Sequence, residues 1–237
     1  MGLMSTEPSE LTGTFITIEG GEGSGKSTLS RLLQNSLNKI GHHVTLCREP
    51  GGTVLGEQLR AALFSQAGSE VSTEIVQAAP SPLTELLVFS AARAQLLKEI
   101  ILPALGDGDT VICDRYTDST FAYQHYGRGL DRPVIETAVR LTVGNLKPSL
   151  TILLDLEPEQ GLARHGIVNQ KDLFGETSPV GGNNYLDFES LAFHQKIREG
   201  YLEMASLEPD RWLVLDAGED PDVIARIALD AILQLIK

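Results

Sequence analysis

Hydrophobic positions along the chain alternate between short β-branched runs and longer stretches in which leucine recurs every three or four residues. TFITIE (14–19) is rich in β-branched and aromatic residues and ends at a glycine cluster. Beyond the glycines, Leu29, Leu32, Leu33, Leu37 and Ile40 stand at helical spacing. This pattern predicts a strand, a loop and a helix over Lys26–Ile40. VTLCRE (44–49) predicts a second strand and GEQLRAALF (56–64) a short helix. SPLTELLVFSAARAQLLKEIILPAL (81–105) predicts a long helix, with Ser81 as N-cap and Pro82 in the first turn. TVICD (110–114) predicts a strand, Pro133–Leu146 a helix, LTILLDL (150–156) a strand and Pro158–His165 a helix. RWLVLDA (211–217) and Pro221–Lys237 predict a closing strand and helix. Strands alternating with helices predict an α/β fold whose parallel sheet is covered on both faces.

Two segments depart from this alternation. GIVNQKDLFGETSPVGGNNY (166–185) is rich in Gly, Asn, Pro and Ser and lies between helical stretches, so a lid is expected at about 164–188. Phe64–Ala79 reads as a surface connection. Residues 1–13 carry no signal-peptide core and are expected to form a disordered leader, with 14–237 as a single domain. No run approaches the roughly 18 apolar residues of a membrane span. Nineteen Lys and Arg against 32 Asp and Glu leave a net charge of −13, which opposes binding to polymeric nucleic acid or anionic membranes. Cys47 and Cys113 both sit in apolar strand runs and read as buried thiols, so a cytoplasmic location is expected.

The glycine cluster carries the clearest chemistry. Gly20-Gly21-Glu22-Gly23-Ser24-Gly25-Lys26-Ser27, followed by Thr28, fits G-x-x-x-x-G-K-[ST] between a predicted strand and a predicted helix, the setting of a phosphate-binding loop. The glycines allow a tight turn whose N–H groups converge on phosphate, and the helix N-terminus adds positive potential. Lys26 would reach the β- and γ-oxygens of ATP, and the Ser27 hydroxyl would ligand Mg2+. No N-K-x-D base reader follows a later strand, so a small-substrate kinase is expected rather than a GTPase switch.

Three more segments fall at the C-terminal ends of predicted strands or on the adjoining helix, where open α/β sheets bind ligands. They are Arg48-Glu49-Pro50-Gly51-Gly52-Thr53, Phe89-Ser90-Ala91-Ala92-Arg93, and Asp114-Arg115-Tyr116 with its continuation to Gln124. Together GGEGSGKST, REPGGT, LLVFSAARAQ, ICDRYTDSTFAYQ and GRGLD resemble the thymidylate kinase family, in order and spacing, from Phe15 to the final helix. The resemblance implies the P-loop nucleoside monophosphate kinase fold, a five-stranded parallel sheet flanked by helices, and a homodimer. It further implies phosphorylation of dTMP to dTDP by ATP with Mg2+.

Under that resemblance Phe89 offers a face for stacking on thymine, and Arg93, one turn on, donates to a base carbonyl. Arg48 and Arg115 carry permanent, forked charge suited to phosphate. Arg60 matches a further base-edge arginine. Glu22 is placed to accept from the deoxyribose 3′-hydroxyl or a Mg2+-bound water, Tyr123 packs against the sugar, and Thr120 and Gln124 contact the substrate. Asp114 occupies the position of a carboxylate near Mg2+. The family carries a catalytic arginine in the phosphate loop or in the lid. Gly23 stands at the first of these places, and 166–188 contains no arginine, with Asp187 where the lid arginine is expected. Arg164, before the lid, is therefore expected to supply transition-state charge together with Arg115 and Lys26; Lys171 is a poorer mimic of a planar fork. Another nucleoside monophosphate or deoxynucleoside kinase, and an ATP-binding protein whose activity has decayed, stand as alternatives.

Overall fold

The computed structural model describes residues 11–64, 79–164, 168–171, 177–180, 186 and 189–236. β1 (Thr14–Gly20) leads through the glycine loop into α1 (Lys26–Lys39), β2 (Val44–Arg48) and α2 (Val54–Phe64). α3 (Pro82–Leu96) runs through a π-helical turn (Leu97–Ile101) into α4 (Leu102–Gly106) and β3 (Thr110–Asp114). α5 (Thr117–Thr120) continues as a π-helical stretch (Phe121–Gly127) before α6 (Arg132–Val143), β4 (Leu150–Asp155) and α7 (Pro158–Arg164). β5 (Val168–Lys171), β6 (Thr177–Val180), α8 (Leu191–Leu207), β7 (Trp212–Asp216) and α9 (Pro221–Leu235) complete the order.

Five strands form one parallel sheet in the order β2-β3-β1-β4-β7. β1 is central because its apolar residues alternate to both faces, each of which is covered. Ile16 and Ile18 pack with Leu29, Leu33 and Leu37 of α1 and Ala228 and Ile232 of α9. Phe15, on the opposite face, packs with Leu96, Ile101, Val111 and Tyr116. A third cluster joins Leu153 to Phe193, Ile197, Tyr201 and Trp212, which brings α8 under the end of the glycine loop.

Several elements differ from the sequence expectation. The predicted 81–105 helix is interrupted by the π turn at 97–101, immediately before Pro103, whose ring removes an amide donor and crowds the preceding turn. The segment after β3, for which the pattern predicts no element, is helical from Thr117. Within the expected lid, β5 and β6 pair antiparallel, Val168 opposite Val180 and Lys171 opposite Thr177. At the other end Leu11 packs on the core and Gly13 N donates to Leu105 O. Residues 1–10, most of the Phe64–Ala79 connection, and Asp187 lie outside the described residues.

Candidate active site

β1, β3 and β2 end side by side, with Arg48 opposite Asp114 in the register, so the glycine loop, REPGGT and DRYTDST converge on one cavity of about 380 Å³. Glu22, Lys26, Ser27, Arg48, Arg60, Phe89, Arg93, Asp114, Arg115, Thr120, Tyr123 and Gln124 all line it. The loop owes its shape to close backbone approach as much as to conformational freedom. Gly23 has φ +65, and a Cβ there would stand 2.0 Å from Gly161 O of α7.

Along the phosphate side, Ser27 Oγ donates to Asp114 Oδ2 at 2.8 Å, which brings the two expected metal-binding groups into contact. Lys26 Nζ donates to Gly20 O (3.2 Å), Gly21 O (2.6 Å) and Ser24 Oγ (3.3 Å), so the ammonium is seated on the loop itself. Burial, with Arg115 nearby, lowers it to about 8 against the pull of Asp114 and Glu22. Arg115 is in the left-handed region (φ 69), a conformation sparsely populated by non-glycine residues and frequent at functional sites. From there it donates to Gly20 O at 3.1 Å and Glu22 Oε1 at 3.2 Å. Arg48, at the rim, is forked onto Glu57 at 2.8 and 3.0 Å.

On the opposite wall Arg93 is buried in an ion pair with Glu49, their side chains 3% and 7% exposed. Arg93 Nε donates to both Glu49 oxygens (3.0 and 2.7 Å) and Nη2 to Tyr116 O (3.0 Å), while Nη1 is buried and has no hydrogen-bond partner among the described residues. A buried guanidinium N–H left unbonded is costly unless a ligand acceptor meets it. Phe89 and Phe64 flank the same cavity with ring centroids 6.2 Å apart, and Arg60 lies 5.0 Å over the Phe64 ring while donating to Pro50 O at 3.1 Å. Between the two walls, Tyr123 OH donates to Glu22 Oε1 at 2.5 Å beneath the Arg115 guanidinium, 4.9 Å from the Tyr123 ring.

Gly20, Gly21 and Ser24 of the loop do not line this cavity, and Arg164, expected to act in catalysis, is not brought to it. Arg164 closes α7 and donates to Ala217 O at 2.8 Å, because the last turn of α7 lies against the loop between β7 and α9. There it lines a second cavity, of about 510 Å³, on the outer side of the phosphate loop with Ser24, Gly25, Thr28 and Asp220.

Residues 18–227 match the thymidylate kinase family profile. The chain belongs to the thymidylate kinase family. It is 43% identical over 219 residues to a thymidylate kinase of Trichlorobacter lovleyi, covering 92% of this chain and 96% of that protein. It is 44% identical over 210 residues to that of Deinococcus radiodurans, covering 89% and 91%. The solved thymidylate kinase of Ehrlichia chaffeensis superposes with a TM-score of 0.67 at 30% identity, covering 93% of this chain and 98% of that one. Thymidylate kinase membership and the five-stranded parallel sheet agree with the fold implied by the motifs.

Several functional neighbours escaped the sequence reading of this family member. Glu49 stood in REPGGT without a role, yet it holds Arg93. Glu85 of α3 is fully buried, accepting from Gln124 Nε2 (3.2 Å) and Arg128 Nη2 (2.8 Å); the signal was an acid inside the apolar run LTELLV. Glu19 accepts from Tyr116 N, Ser119 Oγ and Tyr201 OH, and burial, then the Asp118 charge, pushes its carboxyl up to about 7. His194 contacts Glu22; its signal was a histidine at i, i+3 and i+7 from Ile197 and Tyr201 on the buried face of α8.

Proposed function

We propose that the chain transfers the γ-phosphoryl group of ATP to the phosphate of dTMP, giving ADP and dTDP, as a cytoplasmic, Mg2+-dependent homodimer. The observation that carries the dTMP assignment is the free, buried Arg93 Nη1 beside Phe89. A rigid donor next to an aromatic face suits a planar ring with an exocyclic carbonyl, and it disfavours an amino group at the same place, as on dCMP.

The remaining side chains fit the roles of positioning and charge. Phe89 stacks on thymine, with Arg60, Thr120 and Gln124 around its edges. Tyr123 packs on the sugar where a 2′-hydroxyl would clash, and Glu22 meets the 3′-hydroxyl. Arg48 and Arg115 hold the acceptor phosphate, and Arg115 with Lys26 neutralises the charge that builds on the transferring group. To bind ATP, Lys26 exchanges the carbonyls of Gly20 and Gly21 for phosphate oxygens, and the N-terminus of α1, which starts at Lys26, adds positive potential toward the same anion. The Ser27–Asp114 pair is a hard-oxygen donor set suited to Mg2+, with the nucleotide phosphates supplying further ligands; the bound ion would add Lewis-acid neutralisation. Arg164 flanks the donor nucleoside in the outer cavity, so the cationic work at the transferring phosphoryl falls to Arg48, Arg115 and Lys26.

Among the described residues no helix is long and apolar enough to cross a membrane. α3 and α6 pack together and expose Leu83 (50%), Leu87 (57%), Val134 (42%) and Leu141 (69%), a surface suited to a second copy of the chain. Light scattering should give twice the 25.6 kDa chain mass, and a monomer at assay concentration would remove this part of the reading. The activity is tested by ADP release over a panel of nucleoside monophosphates. dTMP should give turnover, with dCMP and the purine monophosphates orders of magnitude lower in kcat/KM; no dTMP-dependent ADP release would support the decayed alternative.

A further inference from the structure

His194 lies outside every motif that marked the site, yet it touches the phosphate loop. It stands in the first turn of α8, capped by Ser190, and is 4% exposed. Its Nδ1 is 3.3 Å from Glu22 Oε2, an ion-pair contact outside hydrogen-bond geometry, and that oxygen has no hydrogen-bond partner among the described residues. Nε2 is buried with no hydrogen-bond partner among the described residues, and His194 lines a cavity of about 20 Å³ between the loop and α8, room for one water molecule. The ring is held edge-on by Phe193, and two turns on Tyr201 OH ties the same helix to Glu19 at 2.9 Å. His194 therefore has little freedom to move away from Glu22.

The consequence lies in how a carboxylate is fixed. Glu22 Oε1 is held by Tyr123 OH and Arg115 Nη2 on the cavity side. Held by one oxygen alone, the group can rotate about its terminal bond, which is broad and roughly two-fold. Rotation would offer the charge to Lys26 or Arg115 and release the Tyr123 hydroxyl. A contact on the second oxygen blocks that rotation. We propose that His194 is a positioning residue that pins the Glu22 carboxylate, keeps Tyr123 seated over the sugar, and so sets the preference of the site for a 2′-deoxyribose. This rests on the reading given above, in which Tyr123 packs against the sugar. His194 touches neither substrate, and its effect passes through two side chains.

The test compares dTMP with ribothymidine 5′-monophosphate in the full-length enzyme with ATP, reading the ratio of their kcat/KM values. His194→Ala should lower that ratio roughly tenfold, the fold-change of about 1.4 kcal/mol. His194→Asn places an amide nitrogen where Nδ1 stood and should restore the ratio to within about twofold, whereas His194→Gln places it near Nε2 and should not. Because the site is buried, His194→Phe is measured beside them: it fills the volume without a donor and should behave as the alanine variant. An unchanged ratio in folded His194→Ala or His194→Phe, or equal rescue by asparagine and glutamine, overturns the proposal. Tyr123→Phe and Glu22→Gln separate the two levels. If both leave the ratio intact, the sugar-side reading fails and takes the proposal with it. If they lower it and the His194 variants do not, only the role of His194 is lost.

Discussion

Replacing Arg93 with lysine isolates the donor on which the pyrimidine assignment rests. The side chains of Arg93 and Glu49 are 3% and 7% exposed, so removing the charge altogether would leave Glu49 buried without a counter-ion and cost about 3–5 kcal/mol of stability. Lysine keeps a cation within reach of Glu49 but has no planar fork, and it cannot place a second donor where Nη1 stands. The fold should therefore survive while the base contact is lost. A hydrogen bond involving a charged donor contributes about 1.5–3 kcal/mol, so kcat/KM for dTMP should fall by roughly 10- to 150-fold. Thermal unfolding should move far less in Arg93→Lys than in Arg93→Ala. ADP release at varied dTMP and saturating ATP gives the kinetic effect, and KM for ATP should be unchanged. Retention of kcat/KM for dTMP within about twofold of wild type in folded Arg93→Lys would refute the argument that Nη1 reads the base.

Ser27→Ala removes the hydroxyl that meets Asp114 at 2.8 Å, and turnover should fall by roughly tenfold or more with a raised Mg2+ requirement, read by titrating Mg2+ at fixed ATP. Arg164→Ala should raise KM for ATP several-fold and leave KM for dTMP alone, the scale of one exposed cation–aromatic contact; a large loss of kcat at unchanged KM would instead return Arg164 to the transferring phosphoryl. Glu19 has a folded-state value of about 7 against 4.5 unfolded, so the folded state binds the extra proton and this contribution is complete below pH 4.5 and lost as pH rises through about 7. Glu19→Gln should flatten the stability–pH curve over that window, by up to about 3 kcal/mol, and raise the melting temperature at pH 8; parallel curves for variant and wild type would count against it.

How far the sequence could be read depended on whether a residue acts through the chain near it or through contacts across the fold. The strand, loop and helix at 14–40 and the apolar run TVICD carry their own signal, because periodicity and glycine placement are local properties. The same holds for most side chains that line the main cavity, which lie in runs at strand ends or, like Arg60, Phe89 and Arg93, on the adjoining helices, and so converge once the sheet is parallel. Arg164 shows the limit of that reasoning. It was read from its place before the lid, yet its direction is set by the packing of α7 against the β7–α9 loop, a contact between segments more than fifty residues apart. Glu85 and His194 are similar cases: a polar residue on a core face is visible in the sequence, but its partners, Gln124 and Arg128 or Glu22, come from other elements. The π turn before Pro103 and the helical continuation of α5 were hidden for another reason, since both keep an apolar pattern compatible with more than one backbone geometry.

Transfer of labelled phosphate is the most direct test of the central claim. With ATP labelled at the γ-phosphorus, Mg2+ and dTMP, the label should appear in the β-phosphate of dTDP, in step with ADP formation and only when dTMP is present. Label accumulating as inorganic phosphate, or ADP formation indifferent to dTMP, would contradict the account.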